Sequence, residues 1–121
     1  MTYVSGFLLP VKTDQKEVYL QAAKKSWPLF KEYGALAQVE TWGSDVPDGK
    51  ITDFKRAVKL ENDETVVFSW IVWPDKATND ACTAAMETDG RWKNMEADMM
   101  DSVDGKRMIF GGFETIFDAR A

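Results

Sequence analysis

The sequence predicts an α+β protein on the ferredoxin-like plan: a βαββαβ chain with an extra short strand and a short helix. Three observations carry this. Alternating apolar residues mark long strand segments. Two helical stretches separate them, giving the order β-α-β-(β)-β-α-β, in which the halves match in shape without repeating in sequence. The first and third long strands are apolar on both faces, whereas an antiparallel sheet with one wet face alternates apolar and polar residues.

Residues 3–11 form the first strand. Tyr3, Phe7, Leu9 and Val11 share one face, with Val4 and Leu8 on the other. Thr13 or Asp14 caps a helix that runs to about Tyr33, and Gly34 supplies a left-handed stop. Val18, Tyr19, Ala22, Ala23, Trp27, Phe30 and Tyr33 make its apolar stripe. Pro28 inside it predicts a kink or break near residues 24–28. Residues 35–43 are the second strand, 44–49 a turn, and the alternation over 52–60 reads as the short added strand. Residues 65–73 are the least polar stretch and predict an interior strand, with Val66, Phe68, Trp70 and Val72 on one side.

Asp75 caps a second helix through Met86, and Thr88-Asp89-Gly90 breaks it. Arg91 to Met99 reads as a short helix with Trp92, Met95 and Met99 inward. The last strand runs from Met108 to Phe117, and Gly111-Gly112 predicts a bulge or a close backbone approach. The second and last strands are the sheet's edges. A sheet apolar on both faces needs a cover, because monomers rarely expose apolar patches of more than several hundred Å². The simplest cover is a second copy packed sheet to sheet; curling of the sheet over itself is the alternative.

With 121 residues the chain reads as one domain, residues 1–121. Its single cysteine, Cys82, excludes an internal disulfide, and the absence of histidine excludes Ser-His-Asp or Cys-His catalysis and histidine-ligated zinc or haem. No cofactor and no metal site is expected. Net charge is −5: residues 1–60 carry a balance of +2 and residues 61–121 one of −7. Such a chain repels a phosphate backbone, so nucleic acid is not an expected partner. No run approaches the ~20 apolar residues of a membrane span. The first residues lack the basic lead of a signal peptide, which predicts a cytoplasmic protein without membrane contact.

Four segments carry a family resemblance: Val46-Pro-Asp-Gly-Lys50-Ile-Thr52, Lys55-Arg-Ala-Val58, Glu64-Thr-Val-Val-Phe-Ser-Trp-Ile71 and Asp104-Gly-Lys-Arg-Met-Ile-Phe-Gly-Gly-Phe113. They resemble the bacterial domain of unknown function 1428, a member of the dimeric α/β-barrel superfamily. The resemblance covers nearly the whole chain and is looser between Thr78 and Ser102. It implies a ferredoxin-like protomer and a homodimer whose two sheets form a barrel, with a cleft between helices and concave sheet. It implies no activity: the wider superfamily holds cofactor-free monooxygenases, isomerases, haem enzymes and binding modules, and fold alone does not choose among them.

The candidate site residues follow from residue chemistry. Glu40, which shares a strand face with Gln38, Leu36 and Trp42, and Glu114, set among apolar residues, are candidate bases, since an apolar setting raises a carboxylate's pKa. Tyr3 is a candidate hydrogen-bond donor. Arg107, just after a tight turn, is a candidate anion clamp together with Arg56. Trp42, Trp73 and Trp92 are candidate walls for a flat apolar ligand. Edge-strand charge, salt bridges and core packing are the competing readings of the same residues. Met86, Met95, Met99, Met100 and Met108 suit an adaptable wall or a core equally. Three functions stay open: a dimeric module binding a small apolar or aromatic molecule, a cofactor-free oxygenase or isomerase, and a structural dimer with no ligand.

Overall fold

The computed structural model describes residues 1–121. Its strands are β1 (Tyr3–Lys12), β2 (Ala37–Trp42), β3 (Glu64–Trp73) and β4 (Ile109–Glu114). They form one sheet in the order β2-β3-β1-β4, with every neighbouring pair antiparallel. The two strands that are apolar on both faces, β1 and β3, take the centre, and β2 and β4 are the edges, as the ferredoxin-like plan requires. Directly opposed residues share a face, so the pairs Leu9↔Val67, Phe7↔Ser69 and Ser5↔Ile71 place one set of side chains inward.

Helices α1 (Lys16–Glu32), α3 (Lys76–Thr88) and α4 (Arg91–Met100) cover that inner face, and a four-residue helix, α2 (Phe54–Ala57), lies elsewhere. One core cluster gathers Leu29, Ala35, Ile71, Trp73, Cys82 and Trp92, and a second gathers Leu9, Val11, Tyr19, Val67 and Val103. Helix α1 ends as its sequence predicts. Gly34 adopts φ of +102°, and the Ala35 N–H bonds back to the Phe30 carbonyl at 3.0 Å, closing a Schellman-type turn. Asp75 caps α3, its carboxylate accepting the Thr78 N–H at 2.8 Å.

The structure corrects three local expectations and decides between the two readings of another. First, α1 continues unbroken through Pro28. Pro28 and Lys24, whose carbonyl it leaves without a donor, both lie on the exposed side of the helix, where water can take over that bond. Second, α1 begins after a 3-10 turn over Thr13–Gln15, and neither Thr13 nor Asp14 caps it. Third, of the two readings of Gly111-Gly112 the bulge is set aside, since the β1–β4 register runs without interruption. The close approach holds: a Cβ on Gly112 would overlap the Tyr3 phenol.

Fourth, residues 52–60 form α2 rather than an added strand. Asp53 caps it, accepting the Arg56 N–H at 2.7 Å and the Gly49 N–H at 3.1 Å, and these bonds hold its carboxyl down to about 2. The Arg56 guanidinium binds back to Asp53 and to the carbonyls of Gly49 and Ile51. Side-chain bonds of this kind offer the backbone an alternative to a ladder, which periodicity cannot reveal. Lys59 then turns with φ of +49°.

The outer face of the sheet stays open. Phe54 packs edge-on against Phe68, which meets Trp70 in the same way, so the excursion after β2 touches one end of this face. Beyond it Val4, Leu8, Trp70, Val72, Ile109 and Phe113 line an apolar depression, with Phe68 at 45% and Phe113 at 60% exposure. The sheet does not curl over itself to hide them.

Candidate functional site

The inner face is not filled completely. Between the sheet and helices α1, α3 and α4 lies a cleft of about 170 Å³. Its walls are apolar: Phe7, Leu9 and Ile71 from the sheet, Phe30 and Trp92 from the helices, and Met86, Met95, Met99 and Met108 around them. Methionine's unbranched thioether suits such a wall, because it repacks at little cost. No helix of the protein is long and apolar enough to cross a membrane.

One pole of the cleft is polar. On β2, alternation sends Gln38 and Glu40 inward, and pairing sets Glu40 directly opposite Ser69 of β3. On α1, Tyr19 and Ser26 lie seven residues apart, two turns, and so face the same way. The Tyr19 hydroxyl donates to Glu40 Oε2 at 2.5 Å. Gln38 Nε2 donates to Ser26 Oγ at 3.0 Å and leans toward Glu40 Oε1 at 3.5 Å. Ser26 passes its own proton to the Ala23 carbonyl at 2.6 Å.

Burial raises the Glu40 carboxyl above the ordinary carboxylate range, against the opposing pull of the bonds from Tyr19, Gln38 and Ser69. Burial, and then the neighbouring Glu40 charge, raises the Tyr19 phenol far above its usual value. Two buried polar atoms of lining residues, Gln38 Oε1 and Trp92 Nε1, have no hydrogen-bond partner in the protein. Buried polar groups are nearly always paired, so each such exception calls for an explanation.

The residues singled out from the sequence are dispersed. Glu40 and Trp92 line the cleft. Trp73 is fully buried behind it; its indole N–H donates to Ser5 Oγ at 3.1 Å, and Ser5 donates to Asn79 Oδ1 at 2.9 Å. Trp42 points inward beside the second core cluster, with the Lys16 ammonium 5.4 Å from its ring. Tyr3 and Glu114 face each other across the β1–β4 pair on the same face of the sheet as Glu40, but Glu114 lies on the opposite edge strand, and neither lines the cleft. Arg56 clasps its own loop. Cys82 is buried in α3, and burial pushes its thiol up to about 11, far from thiolate reactivity. Tyr19, Ser26 and Ser69 were hidden to sequence reading, Tyr19 within an apolar stripe. Their signal was positional, a polar atom at helical spacing above an inward Gln-x-Glu strand.

Arg107 is engaged on every side. It forms a two-pronged pair with Glu64 at 2.7 and 2.6 Å, bonds Asp104 at 2.9 Å, and donates to the Lys59 carbonyl at 3.0 Å. Glu64 is buried, and Arg107 holds its carboxyl below the ordinary 4.5. A depressed carboxyl contributes stability that is present above its unfolded pKa and lost as pH falls through the folded one. Arg107→Met is expected to cost about 3 kcal/mol at neutral pH, because it strands a buried carboxylate. The gap from wild type should narrow as pH drops below 4.5 and Glu64 takes a proton. Urea melts of both proteins across pH check this, and a pH-independent gap would count against it.

The model for the family described as protein of unknown function (DUF1428) matches residues 2–105. The chain belongs to the DUF1428 family. It is 54% identical over 118 residues to the Escherichia coli K12 protein described as uncharacterized protein YbaA, covering 98% of this chain and 99% of that one. The Shigella flexneri YbaA matches equally. Among solved structures, a dimeric ferredoxin-like protein from an uncultured marine organism superposes on this DUF1428 chain with a TM-score of 0.66 at 6% identity, covering 98% and 99% of the two chains. SnoaB of Streptomyces nogalater, a cofactor-independent oxygenase, does so with 0.62 at 9% identity, covering 98% and 97%. These likenesses establish the ferredoxin-like fold of the DUF1428 protein. At such identities they establish the fold alone.

Proposed function

We propose that this protein binds a small apolar or aromatic molecule in the cleft between sheet and helices, and does so as a homodimer. The observation that carries the binding reading is the cleft itself: a methionine- and aromatic-walled space with one polar pole, the usual make-up of a small-molecule site. Its volume of about 170 Å³ suits a single aromatic ring, since an apolar cavity of ~150 Å³ takes benzene. Millimolar toluene is expected to raise the melting temperature of wild type, because a ligand that binds only the folded state stabilises it. Met95→Trp, which fills the cleft, should abolish the rise. No rise in wild type would count against the reading.

The dimer reading rests on the open outer face, where phenylalanine, tryptophan and aliphatic residues stand uncovered. The marine structural relative, described as dimeric, supports it.

Glu40 favours a second reading, a cofactor-free oxygenase or isomerase in which it acts as base. A half-buried carboxylate with a raised pKa beside a phenol is suited to taking a proton from carbon. SnoaB, a cofactor-independent oxygenase, shares the fold. Under this reading wild type should speed exchange of the α-hydrogens of phenylacetone for deuterium in heavy water, and Glu40→Gln should not. Equal rates in the two proteins would remove Glu40 from that role.

A further inference from the structure

The polar pole of the cleft also specifies what its occupant must offer. We propose that the occupant is an uncharged single-ring aromatic molecule whose hydroxyl donates a hydrogen bond to Gln38 Oε1. This rests on the reading of the cleft as a small-molecule site.

The orientation of the Gln38 amide is decided by its neighbours. Ser26 spends its hydroxyl proton on the Ala23 carbonyl, so its oxygen is left as an acceptor. Glu40, already accepting from Tyr19, offers a second acceptor. Both neighbours therefore call for the NH₂ side of the amide, which carries two donors. The amide oxygen is left over, buried and without a partner. Leaving a buried acceptor unmet is costly, and a ligand that brings a donor removes the cost. The partnerless N–H of Trp92, in the same lining, is a second group that a ligand hydroxyl or ring can meet.

Charge comes from a separate observation. Only two lining residues carry carboxyl groups, Glu40 and the exposed Glu96, and no lysine or arginine lines the cleft. An aromatic carboxylate would meet a carboxylate against apolar walls with no cation to offset it. A phenol, neutral until about pH 10, meets no such repulsion.

The test is a titration of isotope-labelled full-length protein with para-cresol, toluene and para-toluate at about pH 8, where the first two are neutral and the last is an anion. Para-cresol is expected to bind about fivefold tighter than toluene. Para-toluate should bind at least about tenfold more weakly than para-cresol. In Gln38→Met, para-cresol should fall to the affinity of toluene. Toluene binding to the variant, retained, shows that the cleft still folds; if Gln38→Met does not fold, the wild-type comparison of the three probes decides alone.

Equal affinities for para-cresol and toluene in wild type would overturn the hydroxyl assignment and leave the apolar-ligand reading standing. Para-toluate binding as tightly as para-cresol would overturn the charge assignment. Binding of none of the three would overturn the cleft reading and this inference together.

Discussion

Trp73→Ala is expected to lower stability by about 5 kcal/mol, the upper end of large-to-small core changes. Trp73 is 1% exposed and sits in the cluster of Leu29, Ala35, Ile71, Cys82 and Trp92, with Phe30 edge-on at 6.2 Å. Its removal opens a cavity that strands and helices cannot both close, because β3 is held in register on both sides. It also leaves Ser5 without the indole donor that orders the Ser5–Asn79 bond between sheet and α3. Domains of this size hold a total of only about 5–15 kcal/mol, so the variant should be largely unfolded in mild urea. A midpoint within about 1 kcal/mol of wild type would refute the central place given to Trp73.

Trp70→Glu tests the other face of the same strand and should produce an effect of a different kind. Trp70 lies three residues from Trp73 and points away from the helices, into the outer depression with Phe68 and Phe113. If a second copy covers that face through a two-fold axis, each substitution counts twice. A central tryptophan contributes about 2 kcal/mol or more per copy, and a buried carboxylate adds its own penalty. The dimer dissociation constant should therefore rise by about a thousandfold, with the inner core intact. Sedimentation at micromolar concentration should find wild type at twice the protomer mass and the variant at once. A compact, soluble wild-type monomer would overturn the dimer.

These two tryptophans also mark the boundary of what the residues could reveal in advance. Strict alternation over Thr65–Trp73 puts Trp70 and Trp73 on opposite faces, and the structure agrees. Gly34, Asp75 and the inward Trp92, Met95 and Met99 were legible for the same reason: each obeys a rule acting within a few residues. The misreading at 52–60 shows where such rules fail. Phe54, Arg56 and Val58 alternate like a strand, but Asp53 and Arg56 bond to their own backbone and win the segment for a turn of helix.

The site was half legible. Glu40 is legible as a carboxylate sharing a strand face with apolar neighbours, but Glu114, Tyr3, Arg56 and Arg107 offer chemistry of equal promise, and nothing local separates them. Arg107 is committed to Glu64, forty-three residues away, and Glu114 lies on the opposite edge of the sheet from Glu40. Only the packed chain shows that Tyr19 of α1 meets Glu40 of β2, and that Ser26 turns the amide of Gln38.

The sequence by itself determined the order of the four sheet strands and the three covering helices, the two-faced apolar sheet and the classes of chemistry ruled out by the absence of histidine. Those follow from period and composition, which are properties of short windows and of simple counts. The tertiary structure decided which polar groups meet, which are left without partners, and where the helices fail to fill the sheet. Those depend on contacts between residues far apart in the chain, and on volumes that no window contains.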